Sequence, residues 1–194
     1  PSPLGHALAG LAIGWSADAI RRKPLRAGSY SLAAVCGALA ISPDFDFLYP
    51  PFHRMATHSV TAIASIAVVA LAWHRRTTIG ARTTVVAACV LAYASHVLLD
   101  LVGGDTKVPA GIQLLWPFSD GWFISGVRVF RETHLRGFFE PSIIVSNTLA
   151  VARELLVIIP FAAVTFAWRR RSLAERTRAA SWKTPPLLEE GPES

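Results

Sequence analysis

Two carboxylates, Asp44 and Asp46, and two imidazoles, His53 and His58, crowd into the stretch Pro43–Ser59 (PDFDFLYPPFHRMATHS), with apolar sequence on both sides. Further along, His96 and Asp100 (SHVLLD) stand four residues apart, so a helix carries them on one face. His6 lies near the start of the chain. Neutral imidazole nitrogen and carboxylate oxygen together make the donor set of a divalent metal site. Each group also has a plainer account: Asp44 and Asp46 can close an Asx-type turn after a proline, His96 and Asp100 can hydrogen-bond each other at a helix end, and His6 can be a satisfied interfacial histidine. Ionisable groups inside apolar segments are nonetheless functional by default.

Taken together, His6, Asp46, His53, His58, His96 and Asp100 are the expected metal ligands, and Asp44, Asp46 and Arg54 the expected catalytic groups. A zinc-type site uses three or four protein ligands, so the set accommodates one or two ions; zinc heads the expectation, with manganese or magnesium as alternatives. A bound metal lowers the pKa of its water to ~7, and whichever of Asp44 and Asp46 is not a ligand can take the proton as general base. Arg54 can orient a phosphate or carboxylate, or sit at the headgroup level of a membrane. His134 has no spaced partner, and His74 adjoins Arg75 and Arg76; neither joins the set.

Composition says what must position these groups. The chain of 194 residues is 52% hydrophobic and 16% charged, with a mean hydropathy of +0.41, high for a water-soluble domain. Five apolar helices are expected, over residues 4–20, 30–42, 60–74, 83–101 and 149–168, with Ser2 and Pro3 starting the first, Ser59 capping the third and Pro160 kinking the fifth. Helices two and three are short for the ~20 residues a span requires, so tilted or partly embedded helices fit as well. Pro43, Pro50 and Pro51 make 43–59 a loop with at most a turn of helix. The fold class expected is an all-α integral membrane bundle: a membrane-embedded domain over 1–168, including an external aromatic segment over 102–148, and a basic, then disordered tail over 169–194.

The net charge of +6 is concentrated in three clusters. They are Arg21, Arg22, Lys23 and Arg26; Arg75, Arg76 and Arg82; and Arg169, Arg170, Arg171, Arg176 and Arg178. With five spans, these segments share one side and hold most of the 19 Lys and Arg residues. The positive-inside rule then places the N-terminus outside and the C-terminus in the cytoplasm. Every candidate ligand falls on the external side. The same distribution lacks the aromatic-studded basic stripe of a nucleic-acid binder, so membrane lipids rather than nucleic acid are the expected partners. No basic region precedes the first apolar run, so no cleavable signal peptide is expected. Cys36 and Cys89 read as small buried hydrophobes. Trp116, Phe118, Trp122 and Phe123 read either as an interfacial aromatic belt or as a lid or lipid-facing wall over the site.

The ordered set His6, Pro43-Asp44-Phe45-Asp46, His53-Arg54-Met55-Ala56-Thr57-His58-Ser59, Ser95-His96-Val97-Leu98-Leu99-Asp100 and Leu114-Leu115-Trp116-Pro117-Phe118-Ser119 resembles the YdjM-like inner-membrane metal-dependent hydrolases of bacteria. The resemblance covers roughly residues 3–120. It implies a multi-span membrane protein with a bound divalent metal and hydrolase activity. The interfacial site, Arg54 and the aromatic segment make a lipid or lipid-linked phosphoester the expected substrate class. A metal-binding or transport protein without hydrolysis is the rival, and ligands clustered at helix ends rather than mid-helix weigh against transport.

Overall fold

The computed structural model describes residues 1–21, 31–49, 52–73, 79–104, 108–134, 137 and 139–181. Five α-helices run in order: α1 (Pro3–Ile20), α2 (Leu32–Ile41), α3 (Val60–Trp73), α4 (Ile79–Leu101) and α5 (Pro141–Ser181). A 3-10 segment, Ser42–Leu48, continues α2, and a short one, Ala56–His58, precedes α3. Among the described residues there is no strand, only isolated bridges pairing Gly103 with Phe130 and Ile112 with Phe123. The starts of two helices follow from local chemistry. Ser2 caps α1 by accepting from the Gly5 amide at 3.3 Å, with Pro3 just inside. Ser59 caps α3 by accepting from the Ala62 amide at 3.1 Å.

α1 sits centrally, packed on α2, α4 and α5; α4 also packs on α2 and α3. Small residues make this closeness available. Gly14 meets the backbone of Ala33, and a Cβ there would collide with the Ala33 Cα. Ala17, Cys36, Ala88, Cys89 and Ala92 fill the core alongside Leu32 and Val85. Both cysteines are buried free thiols.

α5 shows why such a chain suits lipid. Its buried residues, Ala150, Glu154, Ile158, Ala162 and Thr165, recur every three or four positions along one face and are mostly small or polar. Its outer face carries Leu156, Phe161 and Val164, which are 76%, 60% and 68% exposed. Large apolar groups outside and small ones inside are what a bilayer, not water, rewards. By length and apolarity two helices qualify as spans, Thr83–Leu101 and Pro141–Ala179. The 14 residues of α3 and 10 of α2 are shorter; ten residues reach only ~15 Å, half a hydrocarbon core of ~30 Å. The structure therefore has five helices but two of spanning length, where five membrane-crossing helices were expected.

The fifth helix exceeds its expected range of 149–168 at both ends. It begins at Pro141, inside the segment assigned to the external aromatic region, and continues through residues 169–181, the basic extension expected to precede the disordered part of the tail. Proline at a first helical turn costs no hydrogen bond, and Pro160 lies inside α5 without ending it. Arg169 and Arg176 hold this extension to the end of α1: Arg169 Nε donates to Asp18 Oδ2 at 3.0 Å, and Arg176 donates to the Ala19 carbonyl at 2.6 Å. Arg22, Lys23, Arg26, Pro50, Pro51, His74, Arg75, Arg76, Lys107, Arg136 and the tail 182–194 lie outside the described residues.

Candidate metal centre

The helices alternate in direction, and the starts of α1 and α3 meet the ends of α2 and α4. Glu154 of α5 reaches that same end, accepting from the Ser2 amide with both carboxylate oxygens at 3.0 Å. Gly5 lies directly against the Glu154 carboxylate, where a Cβ would collide with it. This fixes the first turn of α1, and with it His6.

His96 and Asp100 project inward from the last turns of α4; His58 closes the Ala56–His58 turn; Asp44 comes from the 3-10 segment after α2. One donor atom from each of these four lies within 4.8 Å of the others. His96 Nε2 is 3.0 Å from His58 Nε2, 3.4 Å from Asp100 Oδ2 and 3.6 Å from Asp44 Oδ1. His58 Nε2 is 3.2 Å from Asp100 Oδ2. Ligands held at ~2.0–2.2 Å from a tetrahedral zinc stand roughly 3.3–3.6 Å apart, so the spacing fits such an ion. His58 and His96 are fully buried, Asp100 nearly so, and Asp44 is the partly exposed member.

The hydrogen bonds behind the rings decide what faces inward. His96 Nδ1 contacts the Ala40 carbonyl at 2.7 Å; a carbonyl only accepts, so Nδ1 carries the proton and the neutral ring turns the Nε2 lone pair to the centre. Thr57 Oγ1 gives its proton to Asp46 Oδ2 at 2.6 Å, so toward His58 Nδ1, 3.0 Å away, it can only accept. His58 Nε2 is then also a lone pair. Two lone pairs and two carboxylate oxygens converging in a buried space repel one another unless a cation lies between them. Burial alone would lower the His58 pKa, but bonds to Asp100 and Asp46 outweigh it and raise it to about 9.

The expected site residues separate. His58, His96 and Asp100, all expected ligands, join the converging four, and Asp44, expected among the catalytic groups, completes it. Asp46 stands one step back, accepting from His53 Nδ1 at 2.6 Å, the Arg54 amide at 2.9 Å and Thr57 at 2.6 Å. Burial would raise the Asp46 pKa, but the bonds from His53, His58 and Thr57 prevail and hold it well below the usual carboxylate range. His53 pairs with Asp46, its ring centroid 6.2 Å from that of His58, and is outside the four. His6 is outside the four too, yet adjoins them: Nε2 is 3.2 Å from Asp100 Oδ1, and its ring stacks on His96 at 3.8 Å. His6 is fully buried, and neither ring nitrogen makes a hydrogen bond.

Arg54 occupies the left-handed region at φ 63°, the one non-glycine to do so among the described residues. Its amide bonds Asp46, and its carbonyl accepts from the Gln113 amide at 2.9 Å; these two anchors hold the strain. Asp44, His53 and Arg54 line a cavity of about 360 Å³ together with Ile41, Phe45 and Phe47. From the aromatic segment Thr133 lines it, but Trp116, Phe118, Trp122 and Phe123 are not among its lining residues. Leu114 accepts from the Val60 amide, Trp116 from the Thr61 hydroxyl, and Ile112 packs on Tyr93 and Val97, so the segment braces the turn that carries His58.

Three supporting residues went unassigned in the sequence. Thr57 lies within the motif. Tyr93, whose hydroxyl donates to the Thr57 carbonyl at 2.7 Å, precedes His96 by three and Asp100 by seven residues, a helical-face spacing that was there to read. Glu154 is a carboxylate in an apolar helix, a signal in itself. No curated protein and no solved structure matches the chain. The family model described as YdjM inner membrane protein matches residues 2–173. Nearly the whole described helical bundle falls within that match, and the chain belongs to the YdjM inner membrane protein family.

Proposed function

We propose that this protein is a membrane-bound metal-dependent hydrolase of an ester or phosphoester. The observation that carries the reading is the convergence of two imidazole lone pairs and two carboxylate oxygens in a buried space. Two nitrogens and two oxygens suit zinc first, with manganese or magnesium as alternatives. Bound there, a divalent cation supplies Lewis-acid polarisation of a substrate oxygen and lowers the pKa of its water to ~7. His58, His96 and Asp100 hold it, buried and oriented by Thr57, Asp46 and the Ala40 carbonyl. His6, with a buried nitrogen beside the second oxygen of Asp100, offers a further ligand or the start of a second ion position.

Asp44, the partly exposed member of the four, lines the cavity; left unligated beside an ion that His58, His96 and Asp100 would hold, it takes a proton from the attacking water. Arg54 lines the same cavity and orients an anionic substrate oxygen. His53, held by Asp46, gives a proton to the leaving group. Asp46 acts through His53 and His58. The membrane arrangement proposed is a multi-pass one, with the site end external and the basic end of α1 and α5 cytoplasmic, as the basic clusters require.

Metal analysis of purified wild type, His96→Ala and Asp100→Asn, combined with headgroup release from membrane lipids, tests this. Stoichiometric metal in the wild type, lost in both variants together with release, is expected. Equal metal in all three removes the site. Full metal with no release from any membrane lipid sinks hydrolysis and favours a metal-binding protein.

A further inference from the structure

The cavity beside the metal centre has a mixed lining. Asp44, His53, Arg54 and Thr133 are its polar side chains; Pro3, Ile41, Phe45 and Phe47 are apolar. The apolar lining continues outward. Phe45, Phe47, Leu48 and Tyr49 are 61%, 54%, 70% and 62% exposed, and Phe52 stacks on Tyr49 at 5.3 Å. A run of large apolar groups held in the open on a turn that also carries the site is unfavourable in water. It lies at the end of the bundle where α4, a helix of spanning length, ends at Leu101; with α4 across a bilayer, these side chains would fall near the boundary between headgroups and acyl chains.

Size adds a second constraint. At about 360 Å³ the cavity is near the lower bound of the ~300–1,000 Å³ typical of small-molecule sites. It admits a headgroup and its ester linkage but no acyl chain, which must remain outside against an apolar surface. Phe45, Phe47 and Leu48 are that surface. We infer that the substrate is a membrane phospholipid that enters sideways from the bilayer, its phosphate between Arg54 and the metal centre and its acyl chain along Phe45 and Phe47. This rests on the hydrolase reading for the chemistry, but lateral entry is a matter of binding and can be read separately. A soluble phosphoester would need only Asp44, His53 and Arg54 and would leave the exposed aromatics without an occupant.

The test uses the full, metal-loaded chain in vesicles of phosphatidylethanolamine and phosphatidylglycerol carrying a phospholipid with a diazirine at the first carbons of one acyl chain. Irradiation and peptide mapping are expected to place adducts on residues 41–53. Phe47→Asp is expected to lower those adducts roughly tenfold, the change that losing one buried aromatic contact carries, while adducts on the outer face of α5 and the bound metal are unchanged. Should Phe47→Asp lose metal, Ile41→Trp, which enlarges an apolar lining side chain at the end of α2, decides instead with the same expected loss. Adducts confined to the outer helix faces, or indifferent to these substitutions in metal-loaded protein, overturn lateral entry. Headgroup release in the same vesicles reads the chemistry on its own. Adducts without release overturn hydrolysis and leave lateral entry standing; release from a short-chain soluble phosphoester, with no adducts on 41–53, does the reverse.

Discussion

The Nδ1–H of His96 donates to the main-chain carbonyl of Ala40 at 2.7 Å. That bond ties the inner face of α4 to the end of α2 and turns a lone pair toward His58 and Asp100. A ligand nitrogen oriented in this way binds metal in the folded state and not in the unfolded one. Zinc at a hundredfold excess over its dissociation constant is therefore expected to stabilise the wild type by about 2.7 kcal/mol. His96→Ala is expected to show no such zinc-dependent rise in melting temperature in detergent. An equal rise in both proteins would place the zinc elsewhere.

Thr57 links Asp46 to His58 through one hydroxyl. Thr57→Val keeps the shape and removes both bonds. Metal affinity is expected to fall roughly 10–100-fold, the usual cost of losing a partner behind a ligand. Competition with a chromophoric chelator measures this, and an unchanged affinity would deny Thr57 its orienting role.

Glu154→Ala leaves the Ser2 amide without its two acceptors. The loss should cost about 1–3 kcal/mol, as for a buried donor left unpaired, and should loosen the first turn of α1. Faster hydrogen exchange over residues 2–6, with little change in α3, is the expected signature. Exchange that stays slow there would mean that packing, not Glu154, holds His6 in place.

Gly14→Ala pushes a Cβ into the backbone of Ala33, whereas Gly126 has nothing within 4 Å of where a Cβ would stand. The first substitution is expected to destabilise by about 1–3 kcal/mol and Gly126→Ala by less than about 0.5 kcal/mol. Unfolding in mixed detergent micelles compares them. Equal effects would mean that α1 and α2 are less closely packed than the structure shows.

The two ends of the bundle should label from opposite sides. Val127 and Ala174 are exposed, the first in the non-helical segment after α4 and the second on the basic extension of α5. With Cys36 and Cys89 buried, Val127→Cys in spheroplasts should react with a membrane-impermeant maleimide, and Ala174→Cys only after lysis. The opposite pattern would invert the proposed orientation.

Much of the site was legible because it rests on short-range rules. The four-residue spacing of His96 and Asp100 needs only a helix, and the pairing of helix ends needs only alternation of helix direction. Both hold in the structure, as do the Ser2 and Ser59 caps. A short basic extension after residue 168 was expected from composition; how far it stays helical was not legible, because contacts from Arg169 and Arg176 to the distant end of α1 carry helix through residue 181.

What the sequence determined by itself was the pool of His and Asp candidates, three of which (His58, His96 and Asp100) are expected ligands that converge, their confinement to one end of an apolar helical bundle, and the family. Which carboxylate faces the centre was decided by tertiary structure. Asp44 and Asp46 are two apart on a 3-10 segment, where three residues make a turn, so they point roughly 120° apart. One reaches His96 and the other turns back to His53 and Thr57. Only the packing of α2 against α4 sets which is which. The same holds for Tyr93 and Glu154: each supports the site through a main-chain group more than 30 positions away, across a distance that no local pattern encodes.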